Sequence, residues 1–188
     1  SKILFLKFGQ KREFIYVKVG NIDDFTLGNG WIMNRYSNML NFPAIKKLGL
    51  AFDMDFKYVG FESMVDNIFD WDLMGLRFYV KPLIDTKMPI LENLEFGATL
   101  AVDWDPKNPV PDSNKPYDYL DSTNCTNVML YGADVTLPVI NNDLNEMKAY
   151  FDMAFIGGKG AGQVLGVNGS IIKFIPFKFE ITLLEAGF

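Results

Sequence analysis

The residues from Leu94 to Trp104, LEFGATLAVDW, alternate strictly between two kinds of side chain. One parity is apolar: Leu94, Phe96, Ala98, Leu100, Val102 and Trp104. The other is small or charged: Glu95, Gly97, Thr99, Ala101 and Asp103. Successive side chains point to opposite faces of a strand, so the stretch predicts a strand with one apolar face. Its length suits a strand that crosses a bilayer at a tilt, and it is also allowed in a soluble sheet.

The same alternation recurs along the chain, which predicts an all-β fold. Further strands are expected at Leu48–Tyr58, Leu73–Lys81, Val128–Val139, Glu146–Phe155 and Ser170–Leu184. Two shorter apolar runs, Ile3–Phe8 and Glu13–Val19, are joined by the connection Gly9–Arg12, which is typical of a hairpin. We therefore expect an antiparallel up-and-down β-barrel of about 8–10 strands in a single domain that covers residues 1–188.

Four connections have patterns of their own. Apolar residues recur at helical spacing within Phe61–Trp71 and predict one short helix. Asn168-Gly169 predicts a tight hairpin turn, because a type I′ turn needs positive φ at both central residues. Gly20–Asn38, rich in Gly, Asn and Asp, predicts irregular backbone. Asp105–Asn127 contains four prolines and predicts a long exposed loop, a kind of segment that is often functional.

The composition excludes several functions. The chain has no histidine and one cysteine, Cys125, which removes His-based catalysis, Cys-cluster metal sites and an internal disulfide. A net charge of −5 argues against a nucleic-acid partner. Gly157–Gly162, GGKGAG, lacks the ending of a phosphate-binding loop and is expected to be a hairpin loop. We therefore predict neither an enzyme nor a bound cofactor. The start at SKILFLKF is interpreted as that of a mature protein or a fragment.

The orientation of the apolar face separates two hypotheses. In a soluble barrel or sandwich this face is the core, whereas in an outer-membrane barrel it contacts lipid and the polar face lines a lumen. Aromatic residues near strand ends favour lipid, as an interfacial girdle would: Tyr58, Trp71, Trp104 and Tyr131. Charges recur on the opposite parity, and the candidates for lining a lumen or contacting a ligand are Asp53, Asp55, Lys57, Arg77, Lys81, Glu95, Asp103, Asp134, Asp152, Lys178 and Glu180.

The positions of the short connections favour the soluble alternative. The short connections Gly9–Arg12 and Ile140–Asn145 come out at opposite ends of the predicted strands, which is unlike a barrel whose strands each cross once. The alternative is a periplasmic or secreted antiparallel β-barrel or sandwich that binds a small apolar or carbohydrate ligand. Carboxylates two apart, such as Asp53 and Asp55, could serve as an acid and base pair, but a solvated face or lumen wall explains them better.

A weak pattern for a hard cation begins near the end of the predicted strand Leu94–Trp104. Asp103, Asp105, Asn108 and Asp112 offer oxygen ligands at loosely calcium-like spacing. The segment lacks the glycine and the terminal glutamate of an EF-hand loop. We therefore predict no metal site and retain these four residues only as candidates.

Two segments carry a family resemblance. VKVGNIDDFTLGNGWIMNRYSN, Val17–Asn38, and GFESMVDNIFDWDLMGLRFYVKPL, Gly60–Leu83, resemble segments of uncharacterised porin-like β-barrel outer-membrane proteins of diderm bacteria, especially spirochaetes. The resemblance implies a bacterial outer-membrane location, contact with a lipid bilayer or detergent, and transport of small solutes. It implies no catalytic residues. The terminal Phe188 fits such proteins, but the residues on its parity are not the expected apolar series.

Overall fold

The computed structural model describes residues 4–40, 47–104, 127–142, 144–157, 160–172 and 174–185. Ten strands follow one another: β1 Phe5–Phe8, β2 Ile15–Gly20, β3 Gly49–Asp55, β4 Val59–Val65, β5 Leu73–Val80, β6 Glu95–Asp103, β7 Val128–Asn141, β8 Glu146–Ile156, β9 Gly160–Ile171 and β10 Ile175–Leu184. They form one antiparallel sheet in sequence order. The predicted all-β, up-and-down architecture is confirmed. In the described residues β1 and β10 are not paired with each other, so the sheet has two open edges.

The two faces of this sheet differ in polarity. Buried and less buried residues alternate along β2, β4 and much of β8. The buried positions, which form the inner face, include Lys18, Glu62 and Asp152, whereas Phe96 and Phe179 on the outer face are 43% and 73% exposed. The pairing registers align these parities from strand to strand. The sheet therefore turns its charged face inward.

The predicted helix is wrong, because its first half is strand β4. Val59–Val65 pairs with a strand on each side: its Glu62 stands opposite Asp53 of β3, and its Phe61 stands opposite Phe78 of β5. The apolar residues of this segment fit both a helical and a strand period. Pairing with two neighbours satisfies its backbone and decides for the strand. The only helical turn in the described residues is a 3-10 turn at Leu91–Asn93.

This additional strand also changes the positions of the connections. Residues 9–14, 56–58, 142–145 and 172–174 connect strands at one end of the sheet, here called the short-turn end. The chain leaves β2 and enters β3 at the other end of the sheet, here called the long-loop end, and it leaves β6 and enters β7 at the same end. The count from the sequence, which placed Gly9–Arg12 and Ile140–Asn145 at opposite ends, is wrong because it misses one crossing.

The predicted turn at Asn168-Gly169 is also wrong, since both residues lie inside β9. Residues 172–174 connect β9 to β10, and the Phe174 N–H donates to the Ile171 carbonyl at 3.1 Å. Gly169 serves a close approach between strands. A Cβ there would lie 2.0 Å from the Glu146 carbonyl oxygen.

The irregular segment between β2 and β3 folds onto the inner face of the sheet. We call residues 21–38 the inner segment. It is closed by the paired Phe25 and Tyr36, whose N–H groups and carbonyls exchange hydrogen bonds of 2.9 and 2.8 Å. Its apolar side chains form a buried cluster with residues of the strands: Ile22, Phe25, Leu27 and Met33 against Tyr16, Ala51, Met64 and Ala101. The predicted irregular backbone is confirmed, and it fills the concave side of the sheet.

Two inward tyrosines each cover a glycine on the neighbouring strand. Tyr79 stands opposite Gly60, and Tyr150 stands opposite Gly166. A Cβ at Gly60 would lie 2.1 Å from the Tyr79 ring, and one at Gly166 would lie 2.4 Å from the Tyr150 ring. Because glycine has no side chain, each tyrosine ring can lie directly over the neighbouring strand on this crowded face.

We expect Gly60→Val to destabilise the fold by about 1–3 kcal/mol, since the new side chain must displace the Tyr79 ring. The measurement is the midpoint of urea unfolding. Gly157→Ala is the matched control, because a Cβ at Gly157 meets nothing closer than 3.5 Å. Equal midpoints for Gly60→Val and Gly157→Ala would contradict the packing described.

No helix in the described residues is long and apolar enough to cross a membrane.

Candidate functional site

Arg77 is the centre of a buried charge cluster on the inner face. Its side chain is fully buried. Nε and Nη2 donate to the two carboxylate oxygens of Asp134 at 2.9 and 2.6 Å, and Nη2 also donates to Glu95 at 2.7 Å. Such bidentate pairs are the strongest charge-assisted hydrogen bonds in proteins. They connect β5 to β7 across β6.

Gly97 on β6 makes this crossing possible. A Cβ at Gly97 would lie 2.2 Å from the Asp134 carboxylate and 2.6 Å from Nη2 of Arg77. Asp134 stands directly opposite Gly97 in the register between β6 and β7. The ion pair therefore passes over the bare backbone of the strand between its two partners.

Arg12 adds a second guanidinium from the short-turn end. It donates to Glu95 at 2.8 and 3.3 Å and lies 3.2 Å from a Glu62 oxygen. Its guanidinium also stacks over the Tyr79 ring at 4.5 Å. Burial alone would lower the pKa of Arg12, but the carboxylates of Glu62 and Glu95 raise it above its usual value. Arg12 is therefore a permanent cation at this end of the cluster.

Asp55 and Lys81 extend the cluster toward the same end. The Lys81 ammonium donates to both oxygens of Asp55 at 2.7 and 2.9 Å, and the Tyr79 hydroxyl donates to Asp55 at 2.7 Å. Lys81 and Arg77 also lie over faces of the Tyr79 ring, at 5.3 and 4.9 Å. Tyr79 thus separates three cations while binding one carboxylate.

The charge cluster also holds the inner segment. The Gly28 N–H donates to Glu62 at 2.9 Å. The Asn29 side-chain amide donates to Thr136 and to Asp152, both at 2.8 Å. The tip of the inner segment is therefore bound to β4, β7 and β8, and the polar residues of the inner face have a structural role at these positions.

A cavity of about 450 Å³ remains between the inner face and the short-turn end. Its cationic lining residues are Lys11, Arg12, Lys81 and Lys148. Its carboxylate lining residues are Asp55, Glu62, Glu95 and Glu146. The volume falls in the range of ordinary ligand pockets. The described part of the molecule thus contains a polar recess large enough for a small solute.

Most of the sequence-predicted site residues lie on the inner face. Those in strands there are Asp53, Asp55, Arg77, Glu95, Asp103, Asp134, Asp152, Lys178 and Glu180. Lys81, just past β5, lines the cavity. Lys57 does not face inward: it lies in the β3–β4 turn, with an exposed side chain paired with Asp85. The strand alternation ends at Asp55, two residues before Lys57.

These residues do not form one site. Asp55, Arg77, Lys81, Glu95 and Asp134 come together at the charge cluster. Lys178 and Glu180 pair with each other on β10 at 2.9 Å, and Tyr150 donates to Glu180 at 2.8 Å.

The described residues contain no group of three or more acidic, histidine or cysteine residues that could hold a metal ion. Of the weak metal candidates, Asp103 lies on the inner face near the long-loop end. Asp105, Asn108 and Asp112 lie outside the described residues, as does Cys125.

Sequence reasoning missed several contributors to the site, and four of them illustrate why. Glu62 lay in the supposed helix, and reading Val59–Val65 as a strand would have placed it on the inner parity. Lys148 was on the polar parity of its strand and was not singled out. Arg12 and Asn29 come from a turn and from irregular backbone, where side-chain direction has no sequence period.

Comparisons of the chain with protein-family models, with curated proteins and with solved structures find no match.

We expect Arg77→Met to destabilise the fold by about 3–5 kcal/mol, because it leaves buried carboxylates without their cation. Arg35→Met is the matched control. Arg35 forms an exposed ion pair with Asp24 at 3.5 Å, and such surface pairs contribute little, so the loss of stability should stay below about 1 kcal/mol. The measurement is the midpoint of urea unfolding. A second variant, Arg77→Met with Asp134→Leu, should recover part of the loss. A shift for Arg77→Met no larger than the control shift would contradict this role.

Proposed function

We propose that this chain is a porin-like outer-membrane protein whose apolar outer face contacts lipid and whose polar inner face meets small solutes. One observation carries the proposal. Every charged side chain within the ten strands lies on the inner face, and the outer positions of β2–β10 are apolar apart from Ser63, Gln163 and Gly169. Ser63 donates its hydroxyl to the Phe52 carbonyl at 2.7 Å, so it presents little polarity outward.

The free-energy cost of exposing the apolar outer face to water supports a lipid environment. Phe78, Phe96 and Phe179 are 51%, 43% and 73% exposed, and many aliphatic side chains lie between them. Burying one such side chain is worth roughly 1.5–3 kcal/mol. Contiguous apolar patches beyond a few hundred Å² mark an interaction or membrane surface. Hydrocarbon would remove this cost along the whole outer face.

The lengths of the last five strands and the positions of the aromatic residues fit the same environment. β6–β10 contain 9 to 14 residues each. A tilted strand needs about 9–11 residues to cross a bilayer. Exposed aromatic residues mark both ends: Phe14, Phe56 and Tyr58 at the short-turn end, and Phe69, Trp71, Trp104 and Tyr131 at the long-loop end. Two such girdles are typical of transmembrane barrels.

Closure of the sheet is part of the proposal. An unpaired strand edge is costly in hydrocarbon, since no water satisfies its backbone groups. We propose that the free edges of β1 and β10 pair with each other in the membrane and form the barrel expected from the sequence. The family resemblance implies that this membrane is the outer membrane of a diderm bacterium.

In this proposal the inner segment determines whether a solute can pass through the interior. It fills the concave side of the sheet between the long-loop end and the charge cluster. The cavity at the short-turn end remains accessible to a small solute. We propose that passage through the interior requires the inner segment to move, and that the state described is closed.

The soluble alternative has one observation in its favour. The inner segment makes an apolar core with Tyr16, Ala51, Met64 and Ala101, as the interior of a water-soluble sheet would. In that case the cavity would bind a ligand without any membrane. A chain that stays monodisperse in buffer without detergent would support this alternative over the proposal.

Quenching of fluorescence by brominated lipid tests the orientation of the faces. Single cysteines carry a bimane label in a Cys125→Ser background, at Phe151 and Phe179 on the outer face and at Thr182 on the inner face. We expect bromolipid to quench the two outer labels strongly, because bromines in the acyl chains act only at short range. The inner label should respond to aqueous iodide. Equal responses of the outer and inner labels to bromolipid would overturn the proposal.

Conductance in planar bilayers tests the closed state. We expect wild-type protein to conduct rarely, and Asn29→Ala to raise the open probability several-fold, because it removes the bonds to Thr136 and Asp152. Asn34→Ala is the matched control, since the side chain of Asn34 has one hydrogen bond among the described residues, accepted from the Thr26 hydroxyl of the same inner segment at 3.4 Å. Identical traces for Asn29→Ala and wild type would contradict the role given to the inner segment.

A further inference from the structure

The charged residues around the cavity at the short-turn end differ in whether they already have a protein partner. Three of its carboxylates are already bound. Asp55 accepts from Lys81 and Tyr79. Glu62 accepts from the Gly28 N–H and contacts Arg12, and Glu95 accepts from Arg77 and Arg12. These carboxylates therefore have little capacity to attract a cationic solute.

Two of the cations keep free donors. Lys148 has no ion pair or hydrogen bond with any described residue, although it lines the cavity. The Lys11 ammonium donates to the Thr26 carbonyl and lies over the Phe25 ring at 4.2 Å. An ammonium carries three donors, so each of these cations keeps donors that no described protein group accepts. Among the described cavity residues without an ion pair, two are cations, Lys11 and Lys148, and one is an anion, Glu146, so the unengaged charge is net positive in a chain whose net charge is −5.

The position of Lys148 favours a ligand over a structural role. Lys148 lies on the inner parity of β8, opposite Pro138 on β7 and Asn168 on β9. The nearby guanidinium groups of Arg12 and Arg77 repel the Lys148 ammonium, although the carboxylates of Glu62 and Glu95 act in the opposite direction. The charged ammonium is therefore costly without a directly bound partner, because burial has removed part of its hydration. A small anion in the cavity would supply the missing partner.

We propose that this cavity binds a small anion of the carboxylate or phosphate type, with Lys148 as its principal charge partner and Lys11 as the second. Asn93 and Asn141, which also line the cavity, provide uncharged donors for the rest of the solute. Glu146, exposed and without a partner among the described residues, opposes the binding of larger polyanions. The inference rests on the proposed function, since it names the class of solute that the polar interior meets.

Isothermal titration of detergent-solubilised protein at low ionic strength tests this proposal. The probes are sodium phosphate and disodium succinate in separate titrations, and their relative affinities distinguish the two chemistries. We expect wild-type protein to bind at least one of them. Lys148→Gln should weaken that binding about tenfold or more, the factor that corresponds to about 1.4 kcal/mol. Glu146→Gln should strengthen it, because it removes a like charge.

Lys57→Gln is the matched control, since Lys57 is an exposed lysine outside the cavity, and its affinity should equal that of wild type. Unchanged thermal midpoints for Lys148→Gln would show that the fold is kept. Absence of binding by both probes, or equal affinities for Lys148→Gln and Lys57→Gln, would overturn the inference. Neither result depends on bromolipid quenching, so failure of this site and failure of the membrane proposal are distinguishable.

Discussion

The paired charges around Arg77 are the interaction on which the inner face depends. A guanidinium can be buried on a sheet face only when carboxylates surround it, and Asp134, Glu95 and Glu62 come from three different strands to do so. These contacts set the polarity of the whole sheet, because residues of one parity share one face. Once Arg77 points inward, the phenylalanines beside it must point outward.

Much of this architecture could be predicted from the sequence. The alternation at Leu94–Trp104 indicated the strand, its faces and the inner position of Glu95, since a period of two determines side-chain direction. The boundaries failed where two periods fitted the same residues, as in Val59–Val65, or where a glycine served packing instead of a turn, as at Gly169. Closure of the sheet is not a property of any single strand, and no local pattern predicts it.

The candidate site was less predictable than the sheet. Strand parity identified Asp55, Arg77 and Asp134 as residues of one face, but it could not show which of them bind one another. That information lies in the register, which joins residues 57 positions apart in the case of Arg77 and Asp134. The cavity depends further on turn and loop residues such as Arg12 and Lys11, whose positions follow from tertiary contacts alone.

The bonds of Asn29 have a consequence for the order of folding. Each strand pairs with its neighbours in sequence, so hairpins can form one after another at small loop-closure cost. Asn29, however, reaches Thr136 and Asp152, which lie 107 and 123 residues further along the chain. Contacts of such separation form late. We therefore expect the hydrogen bonds of Asn29 to form only after β7 and β8 have joined the sheet.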